Sequence, residues 1–160
     1  MNKVLKLLDK IEELLLVSMF AGMVLVIFFQ VIMRYAFNNS LPWSEELGKF
    51  FFVWISWLGI SIGAKRGEHI KITMLSDKVS FKTKHILNIL SETIVIIICA
   101  ITVFYGIELV KTQSIVPYAG IKISMAWGYL SVVVGCSLMI LRDLISIVDS
   151  ISAIKKGDDN

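Results

Sequence analysis

The stretch LLLVSMFAGMVLVIFFQVIM, residues 14–33, has no charge, and only Ser18 and Gln30 in it are polar. A helix rises about 1.5 Å per residue, so a stretch of this length reaches across the roughly 30 Å hydrocarbon core of a bilayer. It reads as a membrane span. Working outward, three further runs repeat the pattern. Leu47–Ala64 carries a single charge, Lys49, near its start, where a long side chain can snorkel to the interface. Ile86–Val110 is interrupted by Glu92 but carries no charge over Thr93–Ile107. Ile123–Leu141 carries none at all. The expected fold is an all-α integral membrane protein with four transmembrane helices, over about residues 14–33, 47–64, 86–110 and 123–141.

Composition agrees. The 160 residues are 56% hydrophobic with a mean hydropathy of +0.77, where a soluble domain is about 45–50% apolar. Four spans of about 20 residues leave little chain for a soluble domain, so residues 1–160 are expected to form one membrane domain. A net charge of +3 gives no argument for nucleic acid. Lys3, Lys6 and Lys10 before the first run look like a signal peptide's basic region, but the run is too long and no A-x-A-like cleavage site follows. The reading is a retained first span.

Positive charge sets the expected orientation. The segment between the second and third spans holds Lys65, Arg66, Lys71, Lys78, Lys82 and Lys84; the N-terminal segment adds Lys3, Lys6 and Lys10, and the C-terminal end adds Arg142, Lys155 and Lys156. With four spans all three segments share one side. The other side has only Arg34, Lys49, Lys111 and Lys122. Both termini are therefore expected in the cytoplasm. Val4, Leu5, Leu8 and Ile11 suggest a short amphipathic surface helix at the N-terminus, and Ile72, Leu75 and Val79 suggest a second one in the central cytoplasmic loop, 65–85. The polar tail 155–160 is expected to be disordered.

The link between the first two spans is Arg34-Tyr-Ala-Phe-Asn-Asn-Ser-Leu-Pro-Trp43. Asn38, Asn39 and Ser40 supply turn chemistry, and Pro42 fits a helix's first turn. Tyr35, Phe37 and Trp43 suit the headgroup belt. Pro117 and Gly120 break the chain before the fourth span.

Catalytic constellations are absent: no phosphate loop, no nucleophile–histidine–acid pattern. His69 and His85 both sit in the central loop rather than at membrane depth, which argues against a haem-binding anchor. Glu68, His69 and His85 match no metal-site spacing, and Cys99 and Cys136 lie in apolar runs as small hydrophobes. No cofactor, metal or enzymatic activity is expected.

The densest polar cluster is Trp43-Ser-Glu-Glu-Leu-Gly-Lys49. On one reading Glu45 and Glu46 complement the helix dipole, and Glu45 pairs with Lys49 one turn on. On the other, the carboxylates pair with Arg34 or with a partner chain at the interface. Glu92 would be an ion or proton ligand on a functional reading; the structural reading, which we prefer, has it meeting a cation on this chain or a partner. Gly59 and Gly63 form a G-x-x-x-G pair that lets helices approach closely. Trp54 and Trp57 lie too deep for the belt and read as packing anchors.

Arg34-Tyr35, Trp43-Ser44-Glu45-Glu46 and Gly67-Glu68-His69-Ile70 together resemble the small membrane subunit of the tripartite ATP-independent periplasmic (TRAP) transporters, the DctQ-like family. The resemblance implies a non-catalytic scaffold in a bacterial inner membrane. It would brace a large multi-span subunit that carries substrate and sodium sites, and would offer a docking surface to a periplasmic substrate-binding protein. Family solutes are organic acids such as C4-dicarboxylates and sialic acids. The scarcity of intramembrane charge and of broken helices suits a packing partner better than a transporter acting alone. A self-sufficient homo-oligomeric transporter or channel would need Glu92 or Gln30 to face a lumen, and a redox-enzyme anchor would need a redox ligand at depth.

Overall fold

The computed structural model describes residues 3–75 and 81–157. Four long helices account for nearly all of them: α1 (Lys3–Ala36), α2 (Pro42–Leu75), α3 (Phe81–Thr112) and α4 (Ala126–Gly157). Within them lie four stretches long and apolar enough to cross a membrane: Asp9–Ala36, Pro42–Gly63, His85–Ile115 and Ala126–Lys155. This is a multi-pass membrane protein.

The helices overrun the spans. At 34 residues, α1 is about 51 Å long, against a core of about 30 Å. The amphipathic segment expected at the N-terminus is therefore not a separate surface helix but the first turns of α1, since no glycine or proline breaks the chain there. Similarly α2 continues unbroken to Leu75, so Ile72 and Leu75 belong to it, while residue 79 lies outside the described residues. At the C-terminus the helix holds to Gly157, so Lys155 and Lys156 are helical rather than part of a disordered tail; again the first breaker is Gly157 itself.

The two loops at the opposite end are compact. Asn38 takes a left-handed conformation (φ 52°), which turns the Asn39 N–H back to donate to the Met33 carbonyl at 3.0 Å and satisfies a helix-end acceptor. Pro42 is the first residue of α2, where its missing N–H has no helical partner to lose. Between α3 and α4 a short 3-10 turn, Gln113–Ile115, leads to a bridge between Pro117 and Ser124. Ser124 Oγ then accepts the Ala126 N–H at 3.2 Å and shares its single proton between the Gln113 and Ser114 carbonyls, each 2.9 Å away, so one hydroxyl caps α4 and pins the loop.

The helices form an open layer in the order α1–α2–α4–α3, each packed on the next, with α1 and α3 at the edges. Close approach sets the central seam: Gly135 on α4 lies directly against the Trp57 main chain on α2. Ser61 and Ser131 are fully buried along these contacts. On one face of the layer a groove of about 400 Å³ opens between α1, α2 and α4, lined by apolar side chains including Leu15, Met19, Phe50, Trp54, Leu58 and Leu138.

Candidate functional site

Polar chemistry concentrates in three places. At the end holding both compact loops, Glu46 points from the first turns of α2 into the α3–α4 loop. Its carboxylate accepts the backbone N–H groups of Ala119 (3.1 Å), Gly120 and Ile121 (3.1 Å). Three convergent amides form a concave anion seat, filled here by the protein's own carboxylate. The approach is too close for a side chain: a Cβ at Gly120 would stand 2.8 Å from Trp43 Cα. Tyr118 packs edge-on against Phe50 with ring centroids 6.4 Å apart. Burial, reinforced by the neighbouring Tyr129 and Glu46, pushes its phenol above the ordinary value, which keeps the ring neutral. Trp54 completes the arrangement by donating its indole N–H to the Trp127 carbonyl at 3.1 Å.

Removing this clamp has a local signature. Hydrogen bonds to a charged group contribute about 1.5–3 kcal/mol each, less where water can substitute. Glu46→Ala should therefore weaken the loop by about 3 kcal/mol, or roughly 100-fold in opening. Hydrogen exchange of the Ala119, Gly120 and Ile121 amides checks this, and unchanged exchange would contradict the clamp.

At the end carrying both termini, Arg142 on α4 reaches across to α1 and α2. It pairs with Asp9 at 2.8 Å and with Glu12, and its Nε donates to Ser61 Oγ at 2.8 Å. Glu12 is only 4% exposed, and its second oxygen has no hydrogen-bond partner among the described residues. Sequence reasoning misses this network. Glu12 and Arg142 fall just outside the apolar runs and read as edge charges, although a charge at that depth needs a partner.

The third place is the α3–α4 seam. Glu92, 4% exposed, accepts from the Asn88 amide at 2.8 Å and the Ser146 hydroxyl at 2.6 Å, and Asn88 also reaches Ser150 at 3.3 Å. A hydroxyl and an amide take the place of the expected cation, because α4 presents Ser146 and Ser150 one turn apart on the facing side. Further along this seam the Cys99 and Cys136 thiols face each other.

The remaining sequence candidates scatter. Arg34 and Tyr35 are exposed at the end of α1, Tyr35 by 80%. Arg34 makes no ion pair among the described residues; Glu45 pairs instead with Lys49 at 2.8 Å, in solvent, where such a pair contributes little. Gly59 and Gly63 leave open space beside α2: a Cβ at either would meet no neighbouring atom within 4 Å among the described residues. The side chains of Glu68 and His69 lie outside the described residues. Among the described residues no three potential ligands converge on a metal.

The family model described as tripartite ATP-independent periplasmic transporters, DctQ component, matches residues 23–153, from the middle of α1 nearly to the end of α4. The chain belongs to this family. The DctQ component is a transport subunit, not an enzyme. Among its relatives is the sialic acid TRAP transporter small permease protein SiaQ of Vibrio cholerae, 29% identical over 87% of this chain and 80% of that protein. The C4-dicarboxylate TRAP transporter small permease protein DctQ of the same organism is 42% identical over 42% of this chain and 29% of its own length. The sialic acid TRAP transporter permease protein SiaT of Haemophilus influenzae is 29% identical over 86% of this chain, but the match takes in only 22% of that longer polypeptide.

Proposed function

We propose that this DctQ-family chain is the small permease subunit of a sodium-coupled importer of an organic acid, of the C4-dicarboxylate or sialic acid type. It braces a large membrane subunit and helps seat a periplasmic binding protein. It lies in the bacterial inner membrane as a single domain with both termini in the cytoplasm. The observation that carries this reading is the SiaT relationship: nearly the whole of this chain corresponds to about a fifth of a single permease polypeptide. The solutes named for SiaQ and DctQ support the substrate class. The basic residues gathered at Lys3–Lys10, Lys65–Lys84 and Lys155–Lys156 support the orientation.

The polar groups of the chain support a bracing role. Glu12, Glu46 and Glu92 each accept a hydrogen bond from the chain's own side chains or amides, which ties these carboxylates to packing within the layer. Reconstituted vesicles test the assignment. This chain alone should give no sodium-driven uptake of sialic acid or succinate, and uptake should appear when its large subunit and binding protein are added. Uptake by the chain alone would overturn it.

A further inference from the structure

We infer that the face of α2 running from Glu45 to Gly63 is the surface on which the large permease subunit lays a transmembrane helix. This rests on the small-subunit reading above and assigns the surface it uses.

Glu45, Lys49, Phe52, Ser56, Gly59 and Gly63 fall within an arc of about 80° on a helix turning about 100° per residue. They run some 27 Å along it, most of a bilayer core. The chain itself covers the other sides of α2. Gly48 and Phe51 meet α1, while Trp54, Trp57 and Ser61 meet α4. The Glu45–Gly63 face is left open.

That face suits lipid poorly. Of the four spans α2 is the least hydropathic, although its place in the interior of the layer leaves it no better covered by the chain than α4. Its open side offers Phe52 and Ile60 but also a charge pair, a hydroxyl turned onto the Phe52 carbonyl and two bare stretches of glycine backbone. By contrast the open side of α3 offers Ile94, Ile97, Ile98, Ile101 and Phe104, which acyl chains solvate well. The groove on the opposite face of the layer is lined by apolar side chains and suits acyl chains too. Among the described residues the Glu45–Gly63 face is the one that acyl chains solvate least well, and there the glycines leave room for a helix to approach to backbone contact.

The occupant follows from the relatives. In SiaT the part matching this chain is continuous with roughly four fifths of a permease polypeptide. A unit of this kind is thus held beside a much larger membrane body, and a helix of that body is the partner that fits.

The openness of Gly59 and Gly63 makes the test clean. Gly59→Leu/Gly63→Leu should leave the isolated chain's melting temperature in detergent unchanged or raised. When co-expressed with its tagged large subunit, wild-type chain should co-purify and the double variant should fall at least tenfold. Ser56→Cys labelled with benzophenone maleimide should photo-crosslink to the large subunit, the ketone inserting into a C–H bond of the facing helix. Undiminished co-purification of the double variant overturns the face assignment alone. So does a crosslink from the Ser56→Cys variant that yields only a dimer of the 18.0 kDa chain. A lowered melting temperature of the double variant alone would mean that the face is packed within the chain, and overturns it too. Failure of the wild-type chain to co-purify overturns the small-subunit reading and this inference together.

Discussion

Replacing Arg142 by leucine should lower the melting temperature of the detergent-solubilised chain by roughly 6–20 °C. Asp9 and Glu12 share this one guanidinium, and Glu12 sits where water does not reach its unpaired oxygen. Removing one partner of a buried pair costs about 3–5 kcal/mol, chiefly because the other charge is left uncompensated. For a chain of this size each kcal/mol moves the midpoint by about 2–4 °C. The loss should be directional. Apart from this network α1 packs mainly on α2 among the described residues, so hydrogen exchange should rise first in the opening turns of α1. Arg142→Leu combined with Glu12→Leu and Asp9→Asn should recover most of the loss, since an apolar replacement of a buried ionic group is often neutral. A single variant that melts like wild type, or a triple variant no better than the single, would remove the network from any account of how α1 is held.

The sequence made the helices legible and the network illegible, for one reason. Span length and the charge-free run from Leu14 to Met33 are local properties, and so are Pro42 at a helix start and Asn38 in a turn. Pairing across the layer is not. Glu12 lies two residues before one apolar run and Arg142 one residue after another. An up-down path puts both at the same end, but it leaves open which helices are neighbours, and it is the order α1–α2–α4–α3 that brings α4 within reach of α1 here. Glu46 is similar. Adjacent carboxylates on a helix point about 100° apart, so Glu45 stands in solvent with Lys49 while Glu46 enters a loop more than 70 residues downstream. The dipole reading and the partner reading both miss that loop, because nothing near Glu46 in the sequence announces its acceptor role. The glycines invert an expectation most plainly. The motif Gly59–Gly63 faces open space among the described residues. The close approach belongs to Gly135, whose small neighbour one turn back, Ser131, is fully buried. A search for small residues of any kind at four-residue spacing would have found that pair.

That inversion gives the second large effect. Gly135→Leu should abolish or severely reduce the folded chain, whereas the same change at Gly59 should be harmless to the isolated protein. At Gly135 even a Cβ falls on the Trp57 carbonyl group, with Trp57 Cβ only 2.9 Å away. Main chain cannot rotate aside as a flexible side chain can, so α2 and α4 must part. Parting them strains the indole hydrogen bond from Trp54 to the Trp127 carbonyl and the reach of Arg142 to Ser61, both of which span the same seam. Overpacking a core typically costs about 1–3 kcal/mol; a leucine driven into a backbone contact, with two hydrogen bonds dependent on the spacing, should exceed that and take at least ~10 °C off the melting temperature. At Gly59 the leucine meets open space and gains up to about 1 kcal/mol of helix propensity over glycine. Melting curves of the two variants in one detergent therefore separate with opposite signs. Equal losses at both positions would mean that the small residues act through the helix backbone itself, and that the layer owes nothing to the contact between Gly135 and Trp57.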